Sequence, residues 1–167
     1  VFPIQEAVSK FSANRKPVPR VILCPDEATG IAAAHGYFMV SKKPQVVLVH
    51  VDAGTLQLGG GVHNAQRGRA GILLCAGRVA TTFEGELAGS RTSRIHWIQE
   101  QLDQGGAIRN FTKWEYELRR KENIHHVVQR AFQIASSEPC GPVYLVLPKE
   151  ILMETLKEVT IMREDLY

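Results

Sequence analysis

Two adjacent carboxylates, Asp26 and Glu27, stand between a short apolar run, "RVILC", and a stretch of small residues, "ATGIAAAHGY". A carboxyl group in such surroundings can move protons if burial brings its pKa toward neutrality. In parallel α/β sheets ligands bind outside the carboxyl ends of the strands, so a polar residue just after a strand lies at the usual functional edge. The other reading of the same position is structural. Asp26 would cap a helix and Glu27 would sit in its first turn, each favoured by the helix dipole by about 0.3–1 kcal/mol. Position alone leaves both open.

The remaining chemistry-bearing groups point to less. Gly59 to Gly61 form a glycine run, but it lacks the Lys-Ser/Thr of a phosphate loop and the spacing of a dinucleotide fingerprint, and it reads as a turn. His125 and His126 are adjacent, and neighbours on a helix point about 100° apart, so they do not share a metal readily. Neither Cys nor His falls at metal-ligand spacing, and no Gly-x-Ser-x-Gly elbow supports a serine nucleophile.

The elements that would carry Asp26 and Glu27 follow from periodicity. Ile4, Ala7, Val8 and Phe11 make one helical stripe, which "RKPVP" ends. "RVILC", "QVVLVHV", "AGILLCAG" and "GPVYLVLP" are continuous β-branched and aliphatic runs, the signature of strands buried on both faces. Between them the pattern predicts helices from Glu27 to about Ser41, from about Gly61 to Arg69, and over "KENIHHVVQRAFQIASS", where Ile124, Val127, Val128, Ala131, Ile134 and Ala135 share a face. Strands alternating with helices imply a three-layer α/β/α fold with a parallel sheet. From Arg78 to Lys113 periodicity fades, and so long an irregular connection is usually functional.

A chain of 167 residues, 44% hydrophobic, suits one domain with its own core. The net charge of +3 is spread along the chain, which does not indicate nucleic acid, and no apolar run approaches the roughly 20 residues that span a bilayer. Cys24, Cys75 and Cys140 are dispersed, which fits a reducing compartment and an intracellular, cytoplasmic expectation compatible also with an organelle.

"DEATGIAAAHGYFMVSKKPQVVLVHVDAGT" resembles the segment beginning His-Glu in the pyrimidine-binding domain of thiamine-diphosphate-dependent enzymes of the acetolactate synthase, pyruvate oxidase and benzoylformate decarboxylase group. "GGGVHNAQRGRAGILLCAGR", "IHWIQEQLDQGGAIRNFTKW" and "VVQRAFQIASSEPCGPVYLVLPKEIL" are similar to segments that follow there, in the same order and at close to the same spacing. The resemblance covers nearly the whole chain. It implies the flavodoxin-like thiamine-diphosphate-binding fold and gives Glu27 a role. In that family the glutamate hydrogen-bonds a ring nitrogen of the aminopyrimidine and passes it a proton, which leads to loss of the thiazolium C2 proton and attack on a 2-keto acid. Such a carboxyl needs apolar burial to raise its pKa against the helix dipole.

By the same resemblance Gly54, Thr55 and Gln57 stand at cofactor-contacting positions, although the family often has Gly-Pro-Gly and Asn there. Gln99 matches a glutamine on the substrate side, and Lys113 is either an active-site loop residue or a solvated lysine. Asp26 replaces the usual His and adds a like charge that would raise one of the two pKa values. The family holds the diphosphate and Mg²⁺ on another domain through a Gly-Asp-Gly motif that does not occur here, and flavin enters some members through a middle domain.

The expectation is therefore an N-terminally truncated pyrimidine-binding domain, residues 1–167, of a longer enzyme. It would meet the diphosphate-binding domain of a neighbouring subunit in a homodimer or homotetramer, act in 2-keto acid decarboxylation or carboligation, and show no turnover alone. The rivals are a noncatalytic α/β assembly or regulatory module and a separate pyrimidine-domain subunit of a two-chain decarboxylase.

Overall fold

A computed structural model describes residues 2–156 and 158. The chain runs through helix α1 (Phe2–Ala13), α2 (Glu27–Ser41), strand β1 (Gln45–Val49), α3 (Val51–Gln57), α4 (Gly59–Arg67), β2 (Ile72–Arg78), α5 (Ile95–Ile98), β3 (Trp114–Glu117), α6 (Ile124–Ser136), β4 (Val143–Pro148) and α7 (Lys149–Met153). The four strands form one sheet in the order β1-β2-β4-β3, all pairs parallel. Leu48 lies opposite Cys75, which lies opposite Leu145, so the central strands are in register across the sheet.

Side chains alternate between the faces of a strand, and here both faces are apolar because both are covered. Val47, Val49, Ile72, Leu74, Ala76, Tyr144 and Val146 pack with Ile31, Ala34 and Phe38 of α2 and Val62 and Ala65 of α4. Leu73, Cys75, Val143, Leu145 and Leu147 face the other way, onto Val127, Ala131 and Ala135 of α6, with Ile4 of α1 and Ile151 of α7 at the margin. This is the three-layer arrangement that the alternating runs imply. The Cys75 thiol is pushed up to about 12 by its burial and is a core group.

Three expectations change. "RVILC" is no strand: residues 20–24 join no ladder of the described sheet, and Leu23 is 94% exposed. Its composition favours a sheet, but a strand needs a neighbour to pair its amides and carbonyls, and the described sheet ends at β1. "QVVLVHV" stops as a strand at Val49, because Val51 turns the chain at a left-handed φ of 36° and α3 begins. "WEYE" forms an edge strand just after the region that lacked periodicity. Its aromatic residues turn inward to the α6 side, where Trp114 and Tyr116 stack at 5.5 Å. Among the described residues no helix is long and apolar enough to cross a membrane.

Candidate active site

Glu27 is the first residue of α2, and Asp26 caps it. The Asp26 carboxylate accepts from the Thr29 amide at 2.7 Å. That bond, first among its causes, holds the Asp26 pKa below the usual carboxylate range, where the sequence left open that a like charge would raise it. The adjacent carboxylates thus divide their work, one closing the helix start and the other free of it.

The Glu27 side chain is half-buried and reaches the carboxyl end of β1. A Cβ built on Gly54 would stand 3.1 Å from Glu27 Oε1 and 2.9 Å from the Val49 Cβ, so the carboxyl lies directly against the α3 backbone. Two of the residues singled out in the sequence, Glu27 and Gly54, are therefore brought together, and glycine is what permits the approach. The turn that presents α3 is tight: Val51, a β-branched residue, has positive φ, and the Gly54 amide donates to the His50 carbonyl at 2.8 Å.

The others are placed differently. The Thr55 hydroxyl is fully buried, donating to the Val51 carbonyl at 2.7 Å and lying 2.6 Å from the Tyr144 hydroxyl. Gln104 Nε2 donates to that Tyr144 oxygen and to the Gly77 carbonyl, each at 3.0 Å. Thr55 hence fastens α3 to the sheet, and its side chain is spent there. Gln57 ends α3 exposed, and Gln99 is half-buried at the end of α5. Lys113 is exposed, as a solvated lysine would be, and lies away from this edge. It precedes β3, and its ammonium donates to the carbonyls of Ile134 at 2.6 Å and Ser137 at 2.7 Å, closing the C-terminus of α6. The Gly59 to Gly61 run opens α4, and a Cβ on Gly61 would stand 2.2 Å from Ile31 Cγ2, so this glycine serves helix packing.

Sequence reasoning missed four groups at this edge. His50 follows β1 and is exposed. Asp52, in the first turn of α3, is 9% exposed; its Oδ2 accepts from Gln101 Nε2 at 3.3 Å and its Oδ1 is buried without a partner. That bond ties the segment carrying Gln99 to the helix carrying Gly54. Arg91, inside the same irregular segment, is buried. Glu150, just after β4, is also buried, and its Oε1 accepts from the amides of Thr81 at 2.7 Å and Thr82 at 3.0 Å and from both hydroxyls. The only sequence signal for His50, Asp52 and Glu150 is that each lies within a few residues of a strand's end.

Burial works to raise the Glu150 pKa, yet the bonds from Thr82 and Thr81 outweigh it and leave it below the ordinary value of 4.5. A carboxylate with a lowered folded pKa stabilises the fold above its unfolded pKa, and that contribution is lost as pH falls through the folded one. Glu150→Gln is accordingly expected to cost about 1–3 kcal/mol at pH 7. The difference from wild type should close in acid, as denaturant titrations at pH 7 and pH 3 would show.

The family described as thiamine pyrophosphate enzyme, N-terminal TPP binding domain, matches residues 2–107. Mitochondrial acetolactate synthase of Schizosaccharomyces pombe is 29% identical over 158 residues, 95% of this chain and 21% of its own length. Benzoylformate decarboxylase of Pseudomonas aeruginosa is 26% identical over 129 residues, 77% of this chain and 23% of its own. The crystal structure of benzoylformate decarboxylase from Polynucleobacter necessarius superimposes with a TM-score of 0.70 at 25% identity, over 85% of this chain and 25% of that one. The chain thus spans about a fifth to a quarter of the length of these relatives.

Proposed function

Because the chain belongs to the thiamine pyrophosphate enzymes, as an N-terminal TPP binding domain, we propose that Glu27 is the carboxyl group that exchanges a proton with the aminopyrimidine of thiamine diphosphate in an acetolactate synthase-like enzyme. The observation that carries this reading is the seat of Glu27: half-buried, released from capping by Asp26, and held against Gly54 at the carboxyl end of β1. The missing Cβ at Gly54 lets the Glu27 carboxyl lie against the α3 backbone at the strand-end edge where an aminopyrimidine would meet it, which fits the group. When bound, thiamine diphosphate supplies the electron sink for cleaving the bond beside a 2-keto group.

The chain's own residues manage position and proton. Glu27 holds or yields a proton at Oε1 or Oε2. The Gly54 backbone, Thr55 through its peptide group, and Gln57 line the cofactor side, and Gln99 stands on the substrate side. Diphosphate and Mg²⁺ belong to a partner domain, supplied by a neighbouring subunit of a homodimer or homotetramer. A flavin would need a middle domain, and no residue described here calls for one. Decarboxylation and carboligation both start from the same activation, and the choice between them lies with the partner domain.

Two tests follow. The purified 167-residue chain is expected to show no 2-keto acid turnover, because it offers one wall of a two-walled site. Measurable decarboxylation by that chain would refute this division of labour. In the longer protein, exchange of the cofactor's C2 proton in deuterated water should far exceed that of free cofactor at the same pH. Equal rates would favour the noncatalytic module.

A further inference from the structure

The irregular segment after β2 buries a cation that proton exchange at Glu27 does not use. Arg91 is 6% exposed, and of its guanidinium nitrogens Nη2 donates to Glu100 Oε1 at 2.7 Å while Nε and Nη1 are buried without a partner. The guanidinium carbon lies 3.9 Å from the centroid of the Trp97 ring, and that indole is 52% exposed. A guanidinium keeps its charge at any ordinary pH and carries five N–H donors. Burying it with two nitrogens unmatched opposes folding. Such an arrangement persists where the donors serve a partner that arrives later.

His96 lies close enough to Arg91 and Lys149 to feel both charges. His96, whose Nδ1 accepts from the Thr92 amide at 3.2 Å, has its pKa lowered by burial first and then by the charges of Lys149 and Arg91. The carboxylates nearby are Glu100, already on Nη2, and Glu150, whose Oε1 is taken by Thr81 and Thr82. The segment closes mainly upon itself: the Arg91 amide donates to the Thr82 carbonyl at 3.0 Å, and the Phe83 and Trp97 rings are 5.7 Å apart. Displacing the half-exposed indole would uncover the guanidinium without unmaking the sheet.

We propose that Arg91, with His96 and Lys149, forms an anion site under Trp97, itself two residues from Gln99, that takes the carboxylate of a small organic acid. That the acid is the enzyme's substrate rests on the function proposed above; the site itself belongs to this chain alone. The nearby Gln99 gives the site a place on the substrate side, and a carboxylate matches the unmatched N–H donors in charge and hydrogen bonding.

The chain has two tryptophans, so Trp114→Phe leaves Trp97 as its sole indole. In that background, lactate, a carboxylate transparent at the excitation wavelength, is expected to shift Trp97 emission saturably at constant ionic strength. Arg91→Met should weaken the response about tenfold or more, the scale of one lost charge-assisted hydrogen bond. Lys149→Met should weaken it by a smaller factor and serves if Arg91→Met fails to fold. A flat lactate titration, an equal response to phosphate or chloride, or wild-type affinity in a folded Arg91→Met or Lys149→Met chain overturns the site. Glu27→Gln should leave the lactate response intact, so loss of the cofactor reading and loss of this one are told apart.

Discussion

Glu27→Gln is expected to slow exchange of the thiamine C2 proton by about a hundredfold or more, the scale of a positioned acid-base group. The measurement is proton NMR in deuterated water on the longer protein with Mg²⁺ present. Gln keeps the size and the hydrogen-bonding reach of Glu, so contact with Gly54 and the start of α2 survive; what it cannot do is give up or accept a proton. The substitution therefore separates the two readings that the sequence left open. A residue kept only for the helix dipole would cost about 0.3–1 kcal/mol of stability when neutralised, and exchange would not change. Asp26→Asn is the matched control. Asn caps about as well as Asp, and the Asp26 carboxylate is turned to the Thr29 amide, so that variant should retain wild-type exchange. Tight cofactor binding with unchanged exchange in Glu27→Gln would make Glu27 structural.

The contrast between these neighbours bears on what could be read from the residues alone. Asp26 and Glu27 are legible because capping and strand ends have fixed positions relative to the elements, and those elements announce themselves by period. The runs at Ile72–Arg78 and Val143–Pro148 are strands buried on both faces, and continuous apolar composition records that; Gln45–Val49, at the sheet edge, has the same composition although Val46 is exposed. "WEYE" escaped the same reasoning since its alternating acids turn away from the α6 side, leaving only two apolar positions in four residues. "RVILC" erred in the opposite direction. Its composition states a preference, and pairing depends on a neighbour that the described sheet lacks. Asp52 and Arg91 were invisible for a further reason. A buried charge has the same letter as a solvated one, and only the packing of a segment without periodicity reveals the difference.

Gly54→Ala should damage activation more than it damages the fold. Its new Cβ would meet Val49 Cβ at 2.9 Å, an atom fixed to the backbone of β1, and Glu27 Oε1 at 3.1 Å. Neither the strand nor the helix yields freely, so the carboxyl group is displaced by a few tenths of an ångström or more. Overpacking costs about 1–3 kcal/mol, and replacing a helical Gly by Ala returns up to about 1 kcal/mol, leaving a net loss on the order of 0–3 kcal/mol. Misplacement of a reacting group by about 1 Å can cost a hundredfold, so a tenfold or greater fall in C2 exchange is expected. Two other glycines divide these effects. Gly60→Ala, with nothing within 4 Å of its Cβ, should stabilise α4 by up to about 1 kcal/mol and leave exchange unchanged. Gly61→Ala drives its Cβ to 2.2 Å from Ile31 Cγ2 in the core between α2 and α4, and should lower stability by about 1–3 kcal/mol. While folded, that variant should still support near-normal exchange, because the clash lies one helical turn or more from the carboxyl end of β1. Denaturant titration and C2 exchange would then rank Gly54→Ala and Gly61→Ala in opposite orders, with Gly60→Ala unimpaired in both. A Gly54→Ala protein with wild-type exchange would show that the close approach of Glu27 to α3 has no part in activation.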